Sequence, residues 1–150
     1  MLLLSMGLLG LAGCARAPIG FWSRNRFDQQ DQRHGPWRGY LDAQEQHLLS
    51  KGRYRHGREV GRWQYFSPTG QPERTERFHR HPAGLITLTL YHPNGRVAKQ
   101  GQARLQLSES AARFFWFGEW RCYDAASRPL PSEYYRSGIR VGTPLVPPGQ

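Results

Sequence analysis

The sequence predicts an all-β protein, an elongated, twisted antiparallel meander of stacked hairpins with about nine strands. Three observations carry that prediction. A short pattern, Gly-x-Trp-x-x-Tyr/Phe, recurs as GPWRGY, GRWQYF and GEWRCY, starting at Gly35, Gly61 and Gly118. Turn tetrapeptides such as SPTG (67–70) and HPNG (92–95) fall between short alternating segments. From residue 14 onward, 19 Phe, Trp and Tyr stand against 17 Val, Ile and Leu, so no aliphatic stripe is available for a core helix.

The recurrence defines a unit. Its second aromatic falls at Tyr40, Phe66, Tyr91 and Tyr123, in steps of 26, 25 and 32 residues. The third copy, ITLTLY (86–91), has Leu88 where the others have Trp. A second half-motif, KGRYRHGREVG (51–61), returns as SEYYRSGIRVG (132–142), with ERFHRHPAG (76–84) as a stretched copy. Self-similarity at such a period marks a repeat architecture, in which each unit buries its apolar side against the next.

Strands are expected near 36–42, 46–55, 59–67, 72–79, 85–92, 96–107, 113–123, 130–135 and 139–144. SPTG and HPNG, with Pro second and Gly fourth, suit a type I turn followed by a left-handed residue. Gln44 and Ser127 stand where the matching turns would have that glycine. RHGR (55–58), HPAG (81–84) and RSG (136–138) mark the opposite hairpin ends, and QLSESAAR (106–113) interrupts the period. Because Trp and the second aromatic lie three apart, their parity sends them to opposite faces of the sheet. With no helix to cover the sheet, one face must curl inward and the other stay open. RFFWFGEW (113–120) is apolar on both faces.

The net charge of +10 comes from 19 Arg and 2 Lys against 11 acidic residues, which attracts anionic lipid, glycan or nucleic acid. The amino terminus argues for export and so against nucleic acid. MLLLSMGLLGLAG (1–13) is uncharged, too short to span a bilayer, and of the length of a signal-peptide apolar region. LAGC (11–14) resembles the lipobox of bacterial lipoproteins, which implies cleavage before Cys14, lipidation of that cysteine and a place at the outer membrane or facing the periplasm. The expected organisation is a signal peptide (1–13), a tether (14–33), the β-repeat domain (34–142) and a tail (143–150). With Cys14 lipidated, Cys122 has no disulfide partner, and no Cys-based zinc site can form.

No nucleophile elbow, phosphate-binding Gly-rich loop or His-Glu-x-x-His is present, so no catalytic residue, cofactor or metal site is assigned, and no enzyme is expected. His79, His81 and His92 are the closest approach to a ligand cluster, but Arg77 and Arg80 flank them. Arginines interleaved with aromatics point to binding through cation–π and guanidinium contacts. The candidate contact residues are Trp37, Tyr40, Arg53, Tyr54, Arg62, Trp63, Phe66, Tyr91, Trp120 and Tyr123.

The rhythm YxxGxxxGxWxxYxxxG, clearest in YRHGREVGRWQYFSPTG (54–70), resembles the variant MORN-repeat family, the bacterial antitoxin-like version, across 34–142. The resemblance implies a sheet of stacked hairpins that binds or scaffolds. The expected function is a membrane-anchored envelope lipoprotein acting as a non-catalytic module for a protein partner or an anionic lipid or glycan. The alternative is an antitoxin or immunity-like protein that neutralises a partner toxin.

Overall fold

The computed structural model describes residues 23–108 and 110–142; the stretch expected as a signal peptide (1–13), Cys14, the expected tether through residue 22 and the expected tail at 143–150 lie outside the described residues. Two kinds of turn build most of what is described. In the first kind, the fourth residue donates its N–H to the carbonyl of the first and takes a left-handed conformation. It occurs five times, at Asp28–Asp31, Asp42–Glu45, Ser67–Gly70, His92–Gly95 and Asp124–Ser127, with φ of 56, 57, 80, 79 and 68° at the fourth residue. Only two of the five are glycine. Where glycine is missing, an aspartate at the first position holds the loop: Asp28 Oδ1 accepts from the N–H groups of Gln30 and Gln32, and Asp124 Oδ1 from those of Ala126 and Arg128. Asp42 does the same for Gln46 and His47, and there the left-handed residue is Glu45, one place beyond the expected Gln44. The second kind is a two-residue hairpin with both residues left-handed, at His56-Gly57 and Ser137-Gly138. These are the two copies of the half-motif.

The strands are β1 (Arg26–Phe27), β2 (Arg33–Tyr40), β3 (Leu48–Arg55), β4 (Arg58–Phe66), β5 (Pro72–Phe78), β6 (Leu85–Tyr91), β7 (Val97–Leu107), β8 (Ala112–Tyr123), β9 (Pro129–Arg136) and β10 (Ile139–Val141). They form one antiparallel sheet in strict sequence order. The last nine match the nine expected. β1 is additional and falls within the stretch read as tether, so the sheet begins before residue 34. It pairs with Arg33 and His34. Beyond it Asn25 continues the edge with its side chain: Oδ1 accepts the Arg38 N–H at 2.7 Å and Nδ2 donates to the Arg38 carbonyl at 2.8 Å. The insertion at 106–113 lengthens one hairpin: β6 last meets β7 at Leu85–Arg104, whereas β7 and β8 stay paired out to Leu107–Ala112.

Register assigns the faces. Arg38, Lys51, Gln64, Thr75, Thr89, Gln100 and Arg121 lie side by side across seven strands on what is here called the arginine face. The row behind it, on the tryptophan face, runs Trp37, Gly52, Trp63, Glu76, Leu88, Gly101, Trp120 and Glu133. Two of its steps are bulges. Residues 61–63 of β4 face Gly52 alone, and residues 118–120 of β8 face Gly101 alone. Gly61 and Gly118 take φ of 67 and 70° there. The motif Gly-x-Trp thus has a mechanical meaning: glycine takes the left-handed step of the bulge, and the extra residues lift the indole over a bare backbone on the preceding strand. A Cβ on Gly52 would sit 2.2 Å from Trp63 Cδ2, and one on Gly101 2.3 Å from Trp120 Cδ2.

The buried hydrophobic side chains Trp63, Ile86, Leu88, Ala103, Trp120 and Cys122 all belong to the tryptophan face. In a sheet with no second layer, side chains become buried only when the sheet rolls so that one face covers itself. The tryptophan face is therefore the inner one. Its core is Ile86, Leu88, Ala103 and Trp120, walled by Phe78, Leu90, Leu105, Trp116 and Tyr135.

Candidate functional site

The inner face holds two aromatic clusters. In one, Trp37, Tyr54 and Trp63 meet edge to face at ring distances of 5.4 and 4.9 Å, with Tyr65 beyond. In the other, Trp116 stacks on Trp120 at 3.8 Å and Tyr135 closes against both. A groove of about 1070 Å³ opens at one end of this face, floored by Phe78, Ile86 and Leu105 and rimmed by Phe27, Arg33 and Tyr54.

Several charges on this inner face are matched internally. Arg74 Nε lies 2.9 Å from Glu76, whose other oxygen accepts from Tyr65 Oη. Glu133 takes the Lys99 ammonium at 2.5 Å, the Tyr135 hydroxyl at 2.8 Å and the Arg140 guanidinium at 3.5 Å. The Lys99 hydrogen bond, followed by that from Tyr135, holds the Glu133 carboxyl below its usual value. Burial works against the Lys99 charge, yet the hydrogen bond to Glu133, with Tyr135 adding to it, more than offsets it and the ammonium titrates higher than usual. Burial, and then the nearby Glu76, push Glu59 upward, and burial with the same carboxylates pushes up Tyr65.

These shifts have opposite consequences. A lowered Glu133 contributes stability above its unfolded value of 4.5 and loses it as pH falls through the lower folded value. A raised Glu59 favours the fold below 4.5, and that contribution fades as pH rises through its higher folded value. Thermal melts from pH 7 to pH 3 should therefore show the wild type losing Tm below pH 4.5. Glu133→Gln should flatten that fall, and an unchanged acid limb would remove Glu133 as its source.

The arginine face is built differently. Besides the row above, it presents Arg53, Arg62, Arg77, Arg104, Arg113 and Arg136, against Glu119 and, at a bulge, Glu73. Among the described residues none of these cations forms an ion pair. Some lie over rings: Lys51 over Phe66 at 5.2 Å, Arg104 over Phe117 at 5.3 Å and Arg113 over Phe115 at 5.2 Å. Others directly oppose a like charge across strands, as Arg38 opposes Lys51 and Arg62 opposes Arg77. A depression of about 470 Å³ between β7 and β10 joins Arg104 and Arg136 to Phe115 and Tyr134.

The ten residues singled out in the sequence thus divide between two surfaces. Trp37, Tyr54, Trp63 and Trp120 point inward, and Trp63 and Trp120, 2% and 0% exposed, hold the sheet together. Arg53 and Arg62 lie on the arginine face, and Tyr40, Phe66, Tyr91 and Tyr123 line one end of it, next to the turns. The opposite parity of the two repeat aromatics is realised in the register. Lys51, Arg77, Arg104 and Arg121 belong to the same surface, but only strand pairing brings them to it. His79, His81 and His92 do not converge: His79 bonds Thr87 at one end of the sheet, and His92 meets the Tyr123 carbonyl at the other. No protein-family model matches this chain, and no curated protein or solved structure matches it either.

Proposed function

We propose that the chain is a non-catalytic binding module, tethered to a bacterial envelope through Cys14, whose arginine face docks on an anionic component of that envelope. One observation carries this reading. Like charges placed directly opposite across strands oppose folding, and Arg38–Lys51 and Arg62–Arg77 stand that way with no carboxylate to relieve them. On the inner face of the same sheet Arg74, Lys99 and Arg140 each meet a carboxylate, whereas the outer arrangement suits a negative charge supplied from outside. Aromatic rings beside the guanidinium groups favour lipid headgroups or acidic sugars over simple ions. The glycine-pivoted Trp recurring on this sheet also supports the MORN-like reading of its repeats.

The test is co-sedimentation of the full chain, carrying Cys14→Ser, with phosphatidylglycerol or phosphatidylcholine vesicles across a salt series. Binding is expected to the anionic vesicles only and to weaken with salt. Arg62→Glu with Arg77→Glu should reduce it roughly 10- to 100-fold, at about 1 kcal/mol per basic residue near an anionic surface. Equal binding to both vesicles, or indifference to the double reversal, rejects the arginine face as the contact. An acidic protein surface presents the same chemistry. A pull-down that returns one stoichiometric protein, with no vesicle binding, would move the assignment to that class, which includes the antitoxin reading.

A further inference from the structure

Three donors at one end of the sheet, linked by no sequence motif, come together in space. Asp28 lies in the β1–β2 turn, His34 on β2 and His56 in the two-residue turn after β3. One ligand atom from each lies within 4.8 Å of the other two. We propose that Asp28, His34 and His56 form a binding site for a transition-metal ion of the zinc or nickel type, tying the first hairpin of the sheet to the β3–β4 turn.

Each donor is positioned by the backbone. Asp28 gives one oxygen to the N–H groups of Gln30 and Gln32, which leaves the other 2.8 Å from His56 Nδ1. His56 occupies a left-handed position at φ 47°, where Gly or Asn is the usual choice. Its turn is fastened to β2 by the Gly57 N–H, 2.9 Å from the Arg33 carbonyl. The His34 and His56 rings lie 4.9 Å apart. The backbone bonds to Asp28 fix that ligand's orientation, as outer contacts do at metal sites in general.

The donor set selects the ion. Two imidazoles and one carboxylate suit zinc, nickel or cobalt, whereas magnesium and calcium require mainly oxygen ligands. Three protein ligands leave a fourth position of a tetrahedral ion for water or an outside donor. A simple strap is the competing account, since Asp28 and His56 already form an ion pair. In that strap His34 contributes only its Nδ1, 3.5 Å from the His56 backbone N–H. The proposal is independent of the arginine-face reading.

The experiment is a thermal melt and calorimetric titration of the untagged full chain with ZnCl2, NiCl2 and MgCl2. One equivalent of zinc or nickel should bind and raise Tm by ~5 °C at saturation, with no response to magnesium. His34→Gln should abolish both effects while leaving the metal-free Tm close to wild type. His56→Asn, which tolerates the left-handed position, should do the same. A combined His79→Gln, His81→Gln and His92→Gln variant should bind as the wild type does. Absence of any zinc response in the wild type overturns the site, and so does a response that survives His34→Gln. Should His56→Asn fail to fold, His34→Gln alone decides between a metal and a strap.

Discussion

Trp120→Ala is expected to lower stability by about 3–5 kcal/mol, the range for removing a fully buried Trp or Phe. Trp120 has no exposed surface, stacks on Trp116 at 3.8 Å and touches Tyr135. Its loss hollows out the layer in which β7, β8 and β9 pack together. Urea unfolding followed by Trp fluorescence measures the loss, and a cost below about 1 kcal/mol would mean the face is not a core. A gentler substitution sharpens the point. The Trp120 indole N–H has no acceptor among the described residues, whereas that of Trp63 donates to the Arg53 carbonyl at 3.1 Å. Trp120→Phe removes an unsatisfied buried donor, while Trp63→Phe breaks a made bond. Despite its deeper burial, Trp120→Phe should therefore cost less than Trp63→Phe, by roughly 1 kcal/mol.

Gly101→Ala should be a strongly damaging addition of a single methyl group. Its Cβ would fall 2.3 Å from Trp120 Cδ2, and Trp116, stacked on the same indole, leaves that ring nowhere to rise. Overpacking of this kind costs about 1–3 kcal/mol, and a pinned ring puts this case at the upper end. Gly52→Ala meets Trp63 as closely, at 2.2 Å, but that indole is braced edgewise by Tyr54 and at 6.3 Å by Tyr65 and has more room to yield. The decisive measurement is a double-mutant cycle. In the Trp120→Ala background Gly101→Ala should cost far less than in the wild type, because the obstacle is gone. Additive costs would show that glycine serves backbone conformation there and not the indole above it.

Much of this fold was legible because its signals are local. The turns at 67–70 and 92–95 declare themselves through Pro and Gly, and the alternation in LITLTLY gives β6 its faces. The Gly-x-Trp repeat was visible as a repeat, and parity alone sent Trp63 and Phe66 to opposite sides. What the repeat does mechanically was not visible, because the glycine beneath Trp63 or Trp120, Gly52 or Gly101, sits on the preceding strand. β1 was hidden for a related reason. It is two residues long, has no alternation to detect, and owes part of its edge to the side chain of Asn25. The left-handed step at Glu45 was displaced by one because Asp42, not a glycine, organises that loop.

The candidate surface was half legible. Arg62 beside Trp63 attracts attention as a neighbour in the chain, but Arg77 and Arg121 join it only through register, which no single segment encodes. Listing Trp63 and Trp120 with the contact residues merged two roles that the sheet separates by its thickness. Asp28, His34 and His56 lay beyond reach altogether, since their spacing of 6 and 22 residues matches no ligand motif.

The two ends of the sheet have a consequence for how such a chain lives beside its own copies. At the first edge the Asn25 carboxamide imitates a peptide group and occupies both the N–H and the carbonyl of Arg38. At the other, among the described residues, β10 shields β9 only at Tyr134–Arg136, and the stretch left over carries Pro129 and Pro131. Proline has no N–H to offer a newcomer, and a side-chain amide already engaged gives it no foothold. A single-layer sheet ought to be an open template for polymerisation. Among the described residues both templates are blunted, which favours lengthening by added hairpins over the recruitment of strands from neighbours.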